Sequence, residues 1–143
     1  MITADVTARE KDRLPRGWGR FGKAIDGLVP IAEPDETLLA TCVGLNPTFK
    51  HRAITLAGGL AELTKSTNVL LAATDRRLIV LATGAGGAPR THASLPRAGL
   101  EVADSAKKEV TLRWPEGEMH VKGCAKQMLP ELVAALGAGS TAP

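Results

Sequence analysis

Two apolar runs joined by two turn residues constrain the fold of this chain more than any other feature. Val69 to Thr74 and Arg77 to Ala82 read VLLAAT and RLIVLA, and only Asp75 and Arg76 lie between them. Runs of this length with a two-residue polar connection predict an antiparallel β-hairpin. Both runs are apolar at nearly every position, so the hairpin is predicted to lie centrally in a sheet that is covered on both faces.

Strand patterns recur at short, even spacing around this hairpin. An upstream apolar run, Thr37 to Leu45, predicts a first strand that is ended by the pair Asn46-Pro47. Residues 109–114 alternate apolar and polar side chains, which predicts a strand with one buried face. Residues 48–66 are ambiguous: Arg52 to Ala57 fits a short strand, Leu60 to Leu63 fits a helical turn, and Gly58-Gly59 favours a break between them. The remaining predicted strands are Thr91 to Leu95, Gly99 to Ala103 and Met119 to Lys122.

The hydrophobic period becomes helical near the C-terminal end. Apolar residues at i, i+1, i+4, i+5 and i+8 form one broad face, which consists of Met128, Leu129, Leu132, Val133 and Leu136. Pro130 is tolerated in a first turn, so the helix either starts near Gln127–Leu129 or starts near Ala125 and bends. Gly137 predicts its end, and the composition of residues 138–143 predicts a disordered tail.

The N-terminal segment concentrates the positive charge of the chain. The formal net charge is +3, but residues 9–23 carry six basic and two acidic residues, net +4, and the remainder is net −1. Trp18, Phe21, Ile25 and Leu28 recur at helical spacing. The segment therefore either packs this apolar stripe on the domain or contacts a partner or an anionic membrane. The candidate contact residues are Arg16, Trp18, Arg20, Phe21 and Lys23.

Several classes of protein and of site are disfavoured by the sequence. The first 23 residues are charged and lack a signal-peptide core, and no apolar run reaches the ~20 residues of a membrane span. The two cysteines, Cys42 and Cys124, are therefore predicted to be reduced, buried thiols of a cytoplasmic protein. Basic residues are not spread over a face, so nucleic acid is not an expected partner. No motif predicts a metal, a cofactor or a catalytic group.

The hairpin and its flanks resemble a known family. The run NVLLAATDRRLIVLAT, with Thr74-Asp75 at the turn and Arg77-Leu78 opening the next strand, is similar to the central hairpin of bacterial pleckstrin-homology-like (PH-like, GRAM-related) domains. Glu36 before the first strand, Ser94-Leu95-Pro96 before a later strand and the closing helix follow in the matching order. The resemblance covers residues 33–137.

The resemblance implies a mainly β fold. This would be a PH-like barrel of about seven antiparallel strands in two sheets, capped by the C-terminal helix. Residues 1–32 would form a partly helical extension, residues 33–137 the domain and residues 138–143 the tail. Family members that hold inositol phosphates use a basic first loop, so Lys50 and Arg52 are candidate anion contacts.

Folds of this family serve mainly as binding platforms and seldom as enzymes. The resemblance therefore implies a non-enzymatic binding or scaffold domain that associates with a protein partner or with itself. The alternative is a peripheral membrane adaptor at the inner face of the membrane, which contacts anionic lipid through the basic aromatic N-terminal segment. The sequence names no ligand or partner.

Overall fold

The computed structural model describes residues 2–51, 68–84, 87–115 and 117–140. Its described strands form one antiparallel sheet in the order β4-β3-β2-β1-β7-β6-β5. β4 and β5 do not pair with each other, so the sheet is open and the expected barrel of two sheets is not confirmed, whereas the mainly β class is. The strands are β1 (Leu38–His51), β2 (Asn68–Thr74), β3 (Arg77–Thr83), β4 (Pro89–Pro96), β5 (Glu101–Ser105), β6 (Val110–Trp114) and β7 (Gly117–Lys122).

The first strand is longer than predicted. Asn46-Pro47 does not end it, because β1 continues to His51. β1 pairs with β2 up to Leu45 and with β7 from Leu45 to His51, so the change of partner falls next to Asn46-Pro47. The register shifts between Leu45 and Thr48. Proline has no N–H to donate to a strand ladder, and an irregularity is one of the places in a sheet that tolerate it. The prediction of a break was wrong because the pair bends the strand instead of ending it.

The predicted central hairpin is confirmed. β2 and β3 pair from Asn68↔Thr83 to Ala73↔Leu78 around the turn at Asp75 and Arg76, and six of seven residues in each strand are buried. Successive side chains point to opposite faces of the sheet, so the hairpin contributes to two apolar clusters. The inner cluster lies on the face that the C-terminal helix covers and includes Leu71 and Val80. The outer cluster lies on the face that the N-terminal helices cover and includes Leu70 and Ile79.

A C-terminal helix, α4 in chain order, covers the inner face of the sheet. It spans Leu129–Ser140 and packs on β1, β2 and β5. Leu132 and Leu136 are buried in the inner cluster, as the apolar stripe predicts. The guanidinium of Arg97 donates to the carbonyl oxygen of Ala135 at 2.6 Å and so connects the segment after β4 to the helix. The helix continues past Gly137, where the sequence predicts a stop.

The N-terminal segment forms a helical layer on the outer face. Its elements are α1 (Ala4–Asp12), a 3₁₀ turn (Gly19–Phe21), α2 (Gly22–Asp26) and α3 (Leu28–Ile31). The hydroxyl of Thr3 accepts from the N–H of Val6 and caps α1. Phe21, Ile25 and Leu28 are fully buried against the outer cluster. In the described part of the chain, no helix has the length and apolarity needed to cross a membrane.

Candidate functional site

The residues that carry the family resemblance converge on one buried ion pair. Nε of Arg77 donates to Oε2 of Glu36 at 2.8 Å, and Nη2 donates to Oε1 at 2.8 Å, which makes a two-pronged contact. The hydroxyl of Thr74 donates to the same carboxylate at 2.7 Å, and the N–H of Glu33 donates at 2.9 Å. Glu36 has no exposed surface. The hydrogen bonds from Arg77 lower the pKa of the Glu36 carboxyl group to about 2, although burial by itself would raise it.

This ion pair connects four parts of the chain. Arg77 also donates to Oγ of Ser94 on β4 at 2.7 Å and to the carbonyl oxygen of Ile31 on α3 at 3.0 Å. The backbones of Thr37 and the hairpin turn are joined too, because the N–H of Asp75 donates to the Thr37 carbonyl. The motif residues therefore hold the framework together, and Arg77 is engaged within it.

The structure places the N-terminal candidate residues on two sides of the segment. The ring of Phe21 is fully buried, and Trp18 is half-buried beside it, with the ring centroids 5.7 Å apart. Arg16, Arg20 and Lys23 are exposed. The guanidinium of Arg20 lies 4.5 Å from the Phe21 ring centroid. The aromatic side chains thus face the body, and the cations face outward.

Two neighbouring cations of the same segment are already paired. Lys11 contacts Asp26 at 3.0 Å, and Arg13 contacts Glu131 at the start of α4. Among the residues that the structure describes, no such ion pair forms at Arg16, Arg20 or Lys23. We call these three exposed cations the basic N-terminal surface.

The two candidate anion contacts are not brought to this surface by any described contact. Lys50 lies in β1, where its backbone is in register with Glu118 of β7. Residues 48–51 belong to β1, whereas Arg52 and the rest of the ambiguous segment, residues 52–66, lie outside the described residues. Both contacts remain predictions.

Sequence reasoning missed a groove beside α4. It has a volume of about 490 Å³ and lies between α4 and the turn that follows β5. Apolar groups form most of its wall, and two exposed lysines are among the lining residues. The lining consists of Ser105, Ala106, Lys107, Lys126, Leu129, Pro130, Val133 and Ala134. The sequence signal for it is a second helix stripe of small or cyclic residues, Pro130 and Ala134, next to the core stripe.

No known protein-family model matches this chain, and no curated protein matches it. The resemblance to the PH-like family therefore rests on the residues of the hairpin and its flanks. In the described ranges, His, Cys, Asp and Glu side chains form no group of three that could hold a metal ion.

A hydrogen-bonded chain of Thr111, His120 and Glu109 lies next to the groove. Oγ1 of Thr111 is 2.7 Å from Nδ1 of His120, and Nε2 of His120 is 3.2 Å from Oε1 of Glu109. This order of groups is that of a nucleophile, a base and an orienting acid. Thr111 and His120, however, are direct partners across β6 and β7, and such cross-strand pairs stabilise a sheet without any catalytic role.

The two thiols are both buried and free, which confirms the sequence-based expectation. Cys42 points toward the segment after β7, with Sγ 3.9 Å from the Ala125 carbonyl oxygen. A hydrogen bond with Cys124 and burial raise the pKa of the Cys42 thiol. The thiol form of Cys42 is thus favoured over the nucleophilic thiolate.

Both cysteines are expected to resist a bulky thiol reagent in the native protein. Burial denies the reagent access, and the raised pKa of Cys42 suppresses its thiolate. Mass spectrometry after timed labelling should show slow modification without denaturant and modification of both Cys42 and Cys124 in denaturant. Rapid native labelling of either thiol would contradict the burial, and resistance that persists in denaturant until a reductant is added would reveal a disulfide.

Proposed function

We propose that this chain is a non-enzymatic binding domain of PH-like architecture that associates with an acidic protein partner through the basic N-terminal surface. The strand order supports the architecture: β1 is shared between β4-β3-β2-β1 and β1-β7-β6-β5, and its register shift marks where a two-sheet barrel would fold over. The helix α4 covers the open inner side, as a closing helix does in that family.

One observation carries the proposed contact. Arg16, Arg20 and Lys23 are exposed on a segment whose apolar stripe is buried. Of the other cations of residues 9–23, Lys11 and Arg13 are paired, and Arg9 in α1 is exposed. A surface of one charge sign favours a partner of the opposite sign and speeds the encounter between them. An acidic protein surface meets this requirement without any rearrangement of the segment.

The burial of the aromatic side chains favours a protein partner over membrane insertion. An interfacial segment places Trp and Phe at the headgroup boundary. Here Phe21 is fully buried and Trp18 half-buried, so insertion would have to expose the outer cluster of the sheet. Association with a protein surface leaves that cluster intact.

The test of this proposal removes the charges and keeps the fold. The triple variant Arg16→Gln/Arg20→Gln/Lys23→Gln should unfold within a few degrees of the parent, because exposed charges contribute little to stability. Immobilised parent chain should retain an acidic protein from an extract of its own cells, and the triple variant should lose it. Retention by the parent should also fall as salt is raised.

The matched control removes three exposed lysines elsewhere, in the variant Lys107→Gln/Lys108→Gln/Lys122→Gln. It has the same net charge as the test variant and should retain the same protein as the parent. If the test variant and the parent retain the same proteins, or the parent retains none, the proposal fails.

The second candidate function is a peripheral membrane adaptor. The same three cations favour it, because each basic group near an anionic bilayer contributes about 1 kcal/mol to binding. Vesicles of phosphatidylcholine with phosphatidylserine test it by cosedimentation. Binding that is lost in the triple variant would favour the adaptor, with a cytoplasmic location at the inner face of the membrane.

A further inference from the structure

We propose that the groove between α4 and the turn after β5 binds a fatty-acid anion, with its hydrocarbon chain along the helix and its carboxylate between Lys107 and Lys126. This goes beyond the proposed function, since it concerns other residues and another class of ligand. The volume of about 490 Å³ lies within the usual range for small-molecule pockets, roughly 300–1,000 Å³.

The wall of the groove is suited to a hydrocarbon chain. Of the lining residues of α4, Leu129 is buried and Val133 is half-buried, while Pro130 and Ala134 are exposed. Ala106, in the turn after β5, also lines the groove. Methyl and methylene groups of a ligand would replace water on these surfaces, which is favourable in proportion to the apolar area that is covered.

The surface of the groove is mostly apolar. The polar side chains of the described lining are Lys107, Lys126 and Ser105. The backbone N–H of Ala106 is already used, because it donates to the Glu109 carbonyl at 2.9 Å. A bound peptide would bring an amide at every residue, and each buried amide needs a hydrogen-bond partner. A hydrocarbon chain has no such requirement.

The two lysines of the lining favour a ligand with an anionic headgroup. Lys107 and Lys126 are both exposed, and none of the described lining residues is acidic. Glu131 on α4 is paired with Arg13, and Asp104 and Glu109, which flank the turn after β5, are not among the described lining residues. The carboxylate of a fatty acid would therefore meet two ammonium groups without a competing acid in the lining.

Three twelve-carbon probes below their micelle concentrations test the proposal: laurate, dodecyl maltoside and dodecyltrimethylammonium. Methyl NMR should show shifts at Ala106, Leu129, Val133 and Ala134 on addition of laurate. Laurate should bind about tenfold or more tightly than the cationic probe, because two surface charge pairs together contribute about that factor. The neutral maltoside should bind with intermediate affinity.

Two variants and a control complete the test. The variant Lys107→Gln/Lys126→Gln should weaken laurate binding about tenfold and leave maltoside binding unchanged. The control Lys108→Gln/Lys122→Gln removes the same charge outside the groove and should bind laurate like the parent. Ala134→Trp should fill the groove and abolish all binding with an unchanged unfolding midpoint, since Ala134 is exposed.

Four outcomes overturn the proposal: no binding of laurate, equal binding of laurate and the cationic probe, undiminished laurate binding by Lys107→Gln/Lys126→Gln, or methyl shifts confined to sites outside the groove. None of these affects the basic N-terminal surface, so the two proposals fail independently.

Discussion

A chain that starts at Glu33 is expected not to reach a soluble folded state. The sequence predicts residues 33–137 as a complete domain, but the N-terminal helices cover five buried side chains of the outer face: Val43, Leu70, Ala72, Ile79 and Leu81. Phe21, Ile25 and Leu28 alone contribute about 1.5–3 kcal/mol each through burial. The free energy that is lost with these three side chains is comparable to the whole stability of a typical domain, about 5–15 kcal/mol.

A single substitution tests the packing of the N-terminal helices on the outer face of the sheet without truncation of the chain. Ile25→Asp should lower the thermal midpoint strongly or prevent folding, because it places an unpaired charge in the outer cluster. Lys23→Asp introduces the same side chain two residues earlier at an exposed position and should change the midpoint by only a few degrees. Circular dichroism melts of the parent, of both variants and of the truncated chain give the thermal midpoints to be compared. A truncated chain with the parent's midpoint would show that the outer layer is dispensable.

Loss of Arg77 is expected to have the second large effect. Arg77→Met removes the cation and leaves the carboxylate of Glu36 fully buried and unpaired, which typically costs about 3–5 kcal/mol. The double variant Arg77→Met/Glu36→Gln removes the buried charge as well and should recover part of this loss. Urea titrations of the parent and both variants give the free energies of unfolding. A single variant as stable as the parent would contradict a structural role for the ion pair.

The same ion pair makes stability depend on acid. The pKa of Glu36 is about 2 in the folded protein, below the ordinary value of 4.5, so unfolded chains bind a proton more readily at this site. The stabilisation is present above about pH 5 and is lost as the pH falls toward 2, with a full size of roughly 3 kcal/mol. Glu36→Gln should flatten this part of the stability profile. If the free energy of unfolding of that variant depends on pH as steeply as that of the parent, other carboxylates cause the acid sensitivity.

Features that depend on nearby residues could be predicted from the sequence. The β2-β3 hairpin follows from two apolar runs and a two-residue turn, and both strands begin and end within a residue or so of the predicted bounds. The buried side of α4 follows from its period, with Leu132 and Leu136 in the inner cluster. The helical spacing of Phe21, Ile25 and Leu28 likewise predicted a stripe, and all three are buried. In each case the signal is a periodicity that one element contains by itself.

The sequence left open what covers each face and which charges meet. It left packing and membrane contact open as uses of the N-terminal stripe and favoured packing. The structure places the stripe on the outer face of the hairpin, whose buried side chains have no other described cover. It read Asn46-Pro47 as the end of a strand, since the change of partner from β2 to β7 depends on a strand that lies some seventy residues later.

The sequence by itself determined the apolar hairpin, the amphipathic C-terminal helix and the position of the positive charge. Only the tertiary structure decided that Glu36 and Arg77, 41 residues apart, form a buried ion pair. It alone brought Lys107 and Lys126 to one groove, from the turn after β5 and from the turn that precedes α4. The reason is physical: periodicity records which side of an element is buried, whereas a pair or a groove arises from residues of separate elements, and only their packing sets those distances.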